Sequence, residues 1–279
     1  MSTLIVGCGM LGRRVGRLLH LRGEPVFGTT RTPEKAAELA ALGIEPVLAN
    51  VLEPGTLAAL PAADRVLYCV GFDRGAGVSM RTVYVNGMMD VLKELPLTIG
   101  RFVYASSTGV YGQGDGDWVD EDAATEPRHE SGRVALEAET LARERSATVL
   151  RFAGLYGPGR IVRRAAIENG DVINGDPSNY LNLIHLDDAA AAAVRALDLG
   201  EPGRIYLASD DRPVERLEYY GLVARLLGAP APRFQGPDPA SQGESNKRVS
   251  NHRIKTELGL VLTYPDITTG VPAALAEST

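Results

Sequence analysis

The run Gly7-Cys8-Gly9-Met10-Leu11-Gly12 constrains this chain more than any other feature. It spells G-x-G-x-x-G directly after the apolar stretch Leu4 to Val6 and directly before a segment with helical periodicity. In that context each glycine has a separate use. The first permits a tight turn, the second lets the backbone approach a pyrophosphate, and the third allows close helix–strand packing, while the helix N-terminus attracts an anion. The pattern predicts a β-α-β unit with a dinucleotide at the C-terminal edge of a parallel sheet.

The rest of the first half agrees. Short apolar runs at Leu4 to Val6, Val26 to Gly28, Val47 to Ala49, Val66 to Val70 and Phe102 to Ala105 read as buried strands, each bounded by Gly, Pro or Asn. Between them lie helical patterns. Leu11, Val15, Leu18 and Leu19 share one face of a first helix closed by Gly23, and Thr32-Pro33-Glu34 opens a second that Gly43 closes. Ala147 to Phe152 reads as a sixth strand. Beyond it come an alanine-rich helix at Ala189 to Leu199, a returning strand at Ile205 to Leu207, a helix at Glu215 to Leu227 and an irregular surface excursion over Gly228 to Gly243. The expected fold is α/β, a doubly wound parallel sheet with a smaller C-terminal substrate lobe. Residues 1–154 would form the dinucleotide-binding unit, completed by about 181–210, and 155–180 with 211–279 would form the lobe.

The end of the second strand bears on the choice of nucleotide. A carboxylate there would bind the ribose 2′-hydroxyl of NAD, whereas an arginine would accommodate the 2′-phosphate of NADP. The chain offers Thr29, Thr30 and Arg31, and no acid before Glu34, which belongs to the helix start. NADP is therefore expected ahead of NAD. Asn50, after the third strand, is either an adenine contact or a turn residue. Met10 and Leu11 in the loop, and Val70 and Gly71 at the end of the fourth strand, complete the expected cofactor contacts.

Further motifs extend the pattern: Tyr84-Val85-Asn86-Gly87, Ser106-Ser107-Thr108-Gly109-Val110-Tyr111-Gly112, Gly157-Pro158-Gly159, Asn182 through Asp188, and Asn251-His252-Arg253 with Leu258-Gly259 and Tyr264-Pro265. With the glycine loop, these resemble, nearly end to end, the atypical or extended short-chain dehydrogenase/reductases, also called the NAD-dependent epimerase/dehydratase family. The resemblance implies a tyrosine acid/base, a lysine four residues later that lowers its pKa, and a serine that polarises the substrate oxygen. Ser107 takes the serine place. Counting back from Glu139, Ser131 stands where the tyrosine is expected and Ala135 where the lysine is expected. None of the ten tyrosines has a lysine four positions on, since the lysines are Lys35, Lys93, Lys247 and Lys255.

Ser107, Tyr111 and Arg133 are then the candidate catalytic residues, with Ser107 and Tyr111 together as the replacement proton donor. His129, Phe72, Asp73 and Arg74 lie nearby. His185 with Asp187 and Asp188 could form an acid/base pair, but the better reading is an anchor between lobe and sheet. Trp118, in an acidic loop, either lines a substrate mouth or packs. Three functions remain open: an NADP-dependent oxidoreductase or epimerase-like enzyme on a small polar substrate, a non-catalytic NADP-binding sensor or scaffold, and a sugar-nucleotide epimerase or dehydratase whose diphosphate Arg160, Arg163 and Arg164 would meet.

Composition narrows the setting. A net charge of −6 with scattered arginines argues against a nucleic-acid surface. No apolar run approaches the roughly 18 to 20 residues of a membrane span. Cys8 and Cys69 are not part of any cluster with metal-ligand spacing, so no metal is expected. Met1 leads straight into a strand with no charged leader or cleavage site, which points to the cytoplasm. The helix around Arg133 to Arg145 mixes Val134, Leu136 and Leu141 with charges and could be a homodimer face or a solvated one.

Overall fold

The structure, a computed structural model, describes residues 1–97, 99–236 and 245–277. Its centre is a seven-stranded, wholly parallel sheet. In chain order it holds β1 (Thr3–Val6), β2 (Val26–Thr30), β3 (Glu45–Leu48), β4 (Arg65–Tyr68) and β5 (Arg101–Ser107), followed by Thr148–Phe152 and Ile205–Ala208. Across the sheet the order is Ile205–Ala208, Thr148–Phe152, β5, β4, β1, β2, β3. The order reverses between β1 and β4. Their C-terminal ends diverge there into loops on opposite faces, which is where open sheets of this kind bind ligands.

Strict alternation splits the strand residues between two cores. Ile5, Leu67, Val103 and Leu150 face one side, where α1 (Met10–Leu21) and the helix Leu186–Leu199 cover them. Five alanines of that second helix are completely buried, and their small side chains let its backbone lie close to α1. Leu4, Val66, Tyr68, Phe102, Tyr104 and Val149 face the other side, under α3 (Gly87–Glu94) and α4 (Glu130–Glu144). Val134 is buried, Leu141 is partly buried against this second core, and Leu136 is partly buried against a smaller cluster around Val110, Tyr111 and Leu207. Between β2 and β3, α2 (Pro33–Ala41) starts at Thr32, whose hydroxyl accepts the Lys35 N–H.

Several element ends differ from the periodicity. Leu18, expected on the buried face of α1, is 38% exposed. The helix expected from Ala189 begins at Leu186, because the His185 side chain accepts the Asp187 N–H and caps it. β5 runs two residues beyond the expected Ala105, which brings Ser107 to the sheet edge.

A third core packs Tyr156, Ile173, Tyr219, Val223, Ile267 and Val271 together. Short strand pairs frame it. Gly154–Tyr156 pairs with Leu183–His185, and Val172–Asn174 pairs with Arg233–Gln235. The latter strand lies in the expected irregular excursion, of which residues 237–243 fall outside the described residues. Two segments cross the expected boundary. Asp117–Val119 pairs with Lys247–Val249, and Ile254 and Leu258 of His252–Leu258 join the first core.

Candidate functional site

A cavity of about 230 Å³ opens at the C-terminal ends of β1, β2 and β4. It is lined by Gly7, Cys8, Gly9, Thr29, Thr30, Arg31, Lys35, Ala49, Asn50, Val51, Leu52, Val70, Gly71, Asp73 and Val83. Seven of the ten residues expected to meet a cofactor therefore share one wall. Met10, Leu11 and Gly12 follow as the first turn of α1 and lie outside the lining.

Each glycine of the loop is required by something different. Gly7 has φ +86°, and a Cβ there would stand 2.5 Å from Val70 Cα. Its N–H donates to Thr29 Oγ1 at 2.7 Å and the Cys8 N–H donates to the Thr29 carbonyl at 3.1 Å, so β2 holds the turn in place. At Gly12 a Cβ would press on Ile5 Cγ2 at 2.9 Å and the Gly7 carbonyl at 3.2 Å, which is the close helix–strand packing the motif predicts. Gly9 is unlike both. Its Cβ would meet nothing nearer than the Gly7 carbonyl at 4.0 Å. The protein's own packing does not explain a glycine there, whereas a ligand resting on the backbone does. No side chain caps the N-terminus of α1, which leaves its field to an anion from outside the chain.

The cation expected at Arg31 has company. Lys35 lines the same cavity from the first turn of α2, and sequence reasoning missed it because a lysine inside a helical pattern reads as solvated. The Arg31 guanidinium lies 3.6 Å from the Asp73 carboxylate on the loop after β4. Asn50 lines the cavity, but its amide is committed to a turn: Oδ1 accepts the Leu52 N–H at 3.1 Å and Nδ2 donates to Glu53 at 2.8 Å. Its turn role is visible, and the second Nδ2 hydrogen and second Oδ1 lone pair stay open to a ligand in the cavity.

The catalytic candidates separate. Ser107 is exposed at the end of β5, and its Oγ accepts the Gly109 N–H at 3.1 Å, leaving the hydroxyl proton to donate. α4 lies directly over this turn, since a Cβ on Gly132 would fall 2.2 Å from the Gly109 carbonyl. Ser131 is exposed beside it, and Ala135 is packed among Val110, Tyr111, Val119 and Leu207. Arg133 points its Nη1 at the Arg128 carbonyl at 3.1 Å and so braces its own helix start.

Tyr111 does not reach the cleft, which corrects its expected place as a proton donor. It is 1% exposed, and its hydroxyl accepts from Arg151 Nη1 at 2.7 Å. Burial pushes the phenol up to about 12 against the pull of Arg151. Arg151 in turn grips Glu139 through Nε at 2.9 Å and Nη2 at 2.7 Å, and Ser106 donates to the same carboxylate at 2.5 Å. Behind the turn Lys247, also missed, is buried and donates to the Tyr111 carbonyl at 3.1 Å and to Ser245 Oγ at 2.7 Å. Burial, with Arg128 adding, pushes its ammonium down to about 8.

Beside the third core, His185 and Asp188 are held in structural contacts. The His185 ring is wholly buried against Tyr156 and Tyr264, and burial lowers its pKa. Asp188 accepts the N–H groups of Thr263 at 2.7 Å and Tyr264 at 2.9 Å. Of the three arginines considered for a diphosphate, Arg160 donates to the Leu155 carbonyl and Arg164 pairs with Glu168 at 2.8 Å, while Arg163 sits at φ +61°. Trp118 is 55% exposed, with the Arg248 guanidinium over its ring at 5.3 Å.

The same region buries Asp210, whose Oδ2 is without a partner among the described residues. Burial pushes its pKa up to about 8; the Arg212 N–H opposes this, and Asp266 and Asp211 add to it. The folded protein therefore holds a proton there that the unfolded chain releases near the ordinary aspartate value of about 4. Stability from this group is complete below about pH 4 and is lost as pH rises to 8, by at most about 1.4 kcal/mol per unit. Urea unfolding across this range is expected to show the decline, and Asp210→Asn to flatten it. An unchanged slope in the variant would assign the decline to other groups.

Among the described residues there is no cluster of His, Cys, Asp and Glu suited to a metal, and no helix long and apolar enough to cross a membrane. Comparison with known proteins places this geometry. The chain is 33% identical over 280 residues to Protein YeeZ of Escherichia coli (strain K12), covering 95% of this chain and 97% of that one. A conserved protein of Silicibacter pomeroyi DSS has a solved structure that superposes with a TM-score of 0.77 at 29% identity, covering 99% of both chains. DesIV, the dTDP-glucose 4,6-dehydratase of Streptomyces venezuelae solved with NAD and TYD bound, shares the fold with a TM-score of 0.84 at 20% identity, covering 99% of this chain and 96% of that one. Residues 3–208 match the sequence profile of the NAD dependent epimerase/dehydratase family, and with the glycine loop, the parallel sheet and the serine turn this establishes that the chain belongs to that family.

Proposed function

We propose that this protein is an NADP(H)-preferring oxidoreductase or epimerase-like enzyme that acts on a small polar substrate without a tyrosine–lysine relay. The observation that carries this reading is the end of β2. There the cavity presents Thr30, Arg31 and Lys35, and the end of β2 itself supplies no carboxylate for the 2′-hydroxyl of NAD. The open space over Gly9 and the uncapped start of α1 fit a pyrophosphate, Val70 and Gly71 would flank the dinucleotide, and Arg31 with Lys35 would take the 2′-phosphate. The NAD reported in DesIV supports a dinucleotide in this fold.

Bound, the nicotinamide would supply hydride transfer. The chain's own part is to orient the substrate and manage its proton. Ser107, exposed and with its hydroxyl proton uncommitted to the Gly109 turn, would donate a hydrogen bond to a substrate oxygen. Ser131 and Ala135 cannot replace a phenol activated by an ammonium, and Tyr111 is sealed off, so the proton must come through Ser107 and solvent. Positioned acid/base groups contribute roughly 10² to 10⁴ in rate, so slow turnover is expected. The engagement of Arg160 and Arg164 weighs against a sugar-nucleotide diphosphate at that loop.

Calorimetry with NADPH and NADH tests the cofactor. A charge-assisted hydrogen bond to phosphate is worth about 1.5 to 3 kcal/mol, so Arg31→Ala should erode the NADPH preference roughly ten- to a hundredfold. Equal affinities in the unaltered protein would reduce Arg31 to a loop residue. NADPH consumption over a panel of carbonyl compounds should then fall in Ser107→Ala. Binding without turnover on any compound would point instead to an NADP-binding sensor.

A further inference from the structure

The cavity that holds Arg31 also holds a carboxylate facing it. Asp73 comes from the loop after β4 and Arg31 from the end of β2, so the two meet across the mouth of the cavity from either side of β1. Their separation, 3.6 Å from Nη2 to Oδ2, makes an ion pair too long for a hydrogen bond, and the side chains are 48% and 57% exposed. A pair like this is held weakly and opens at little cost. Asp73 has a tether of its own. Its Oδ1 accepts the Gly75 N–H at 2.9 Å and caps the short turn Arg74–Ala76, which ties that oxygen to the turn.

A dinucleotide carrying a 2′-phosphate must deal with this carboxylate twice. The phosphate needs the Arg31 guanidinium that Asp73 partly occupies, and its charge is repelled by the same oxygens. A dinucleotide with a free 2′-hydroxyl meets neither penalty. We propose that Asp73 is a specificity-determining residue that restrains the preference for 2′-phosphorylated dinucleotide by competing for Arg31 across the mouth of the glycine-loop cavity. This rests on the dinucleotide reading above and deepens it. It also gives Asp73 a task that the sequence pattern does not assign.

Asp73→Asn tests the idea with little disturbance, because the asparagine oxygen can still accept the Gly75 N–H and cap the turn. By calorimetry at low salt the variant is expected to bind NADPH about three- to tenfold more tightly and NADH less than about twofold differently, with the gain shrinking as salt screens the exposed charges. In an Arg31→Ala background the same change should leave the NADPH affinity nearly unaltered. Equal shifts for both nucleotides, no shift for NADPH, or a gain that persists in full without Arg31 would each overturn the proposal while leaving the cofactor site intact. Failure of both nucleotides to bind the unaltered protein would instead remove the dinucleotide reading, and the proposal with it.

Discussion

Gly9→Asp is expected to abolish dinucleotide binding, by more than about a hundredfold, while the protein stays folded. A Cβ at this position meets nothing beyond its chain neighbours nearer than the Gly7 carbonyl at 4.0 Å, so the change costs the fold little. The same side chain fills the space into which a pyrophosphate would settle, and its charge cancels the attraction of the start of α1. The neighbouring glycine supplies the contrast. Gly7→Ala would put a Cβ 2.5 Å from Val70 Cα at a φ of +86°, so that change should damage stability first and binding only as a consequence. Calorimetry beside thermal melting separates the two. A folded Gly9→Asp protein that still binds nucleotide normally would remove the basis for placing the cofactor here.

Arg151→Met is expected to destabilise the fold by about 3 to 5 kcal/mol, the usual cost of leaving one member of a buried ion pair without its partner. Arg151 is 3% exposed and Glu139 2%. Without the guanidinium, the Glu139 carboxylate keeps only the Ser106 hydroxyl, and the Tyr111 hydroxyl loses its donor. A double change, Glu139→Leu with Arg151→Met, should recover much of the loss because it removes the stranded charge as well. Urea unfolding of both variants measures this. A single variant within about 1 kcal/mol of the unaltered protein would mean that water reaches the pair and that it does not brace the end of β5.

The network matters to the site because it ties together the strand that carries Ser107, the helix that carries Ser131 and the strand Thr148–Phe152. A tyrosine next to the serine motif looks, in sequence, like a ready substitute for the missing acid. Its partner Arg151 is 40 residues away, and the burial that neutralises its chemistry depends on Ala135, Val249 and Leu207 closing over it. Nothing local to Tyr111 announces this. The same holds for Lys247, which is bonded to a carbonyl 136 residues earlier. Helical periodicity does not single out Lys35 either, because it reports which face of a helix is apolar and says nothing of a neighbouring loop.

What the sequence by itself determined is whatever short-range chemistry dictates. A glycine loop between strand and helix permits a turn that other residues resist, continuous apolar runs demand cover on both faces, and the absence of a lysine four residues after any tyrosine holds in any fold. What only the tertiary structure decided is which charges meet, Arg31 with Asp73 and Arg151 with Glu139, and that the Asp210 Oδ2 is buried without a partner among the described residues. These depend on distances between atoms far apart in the chain and on how much water remains between them. Electrostatic energy is set by both, and neither is encoded in local sequence.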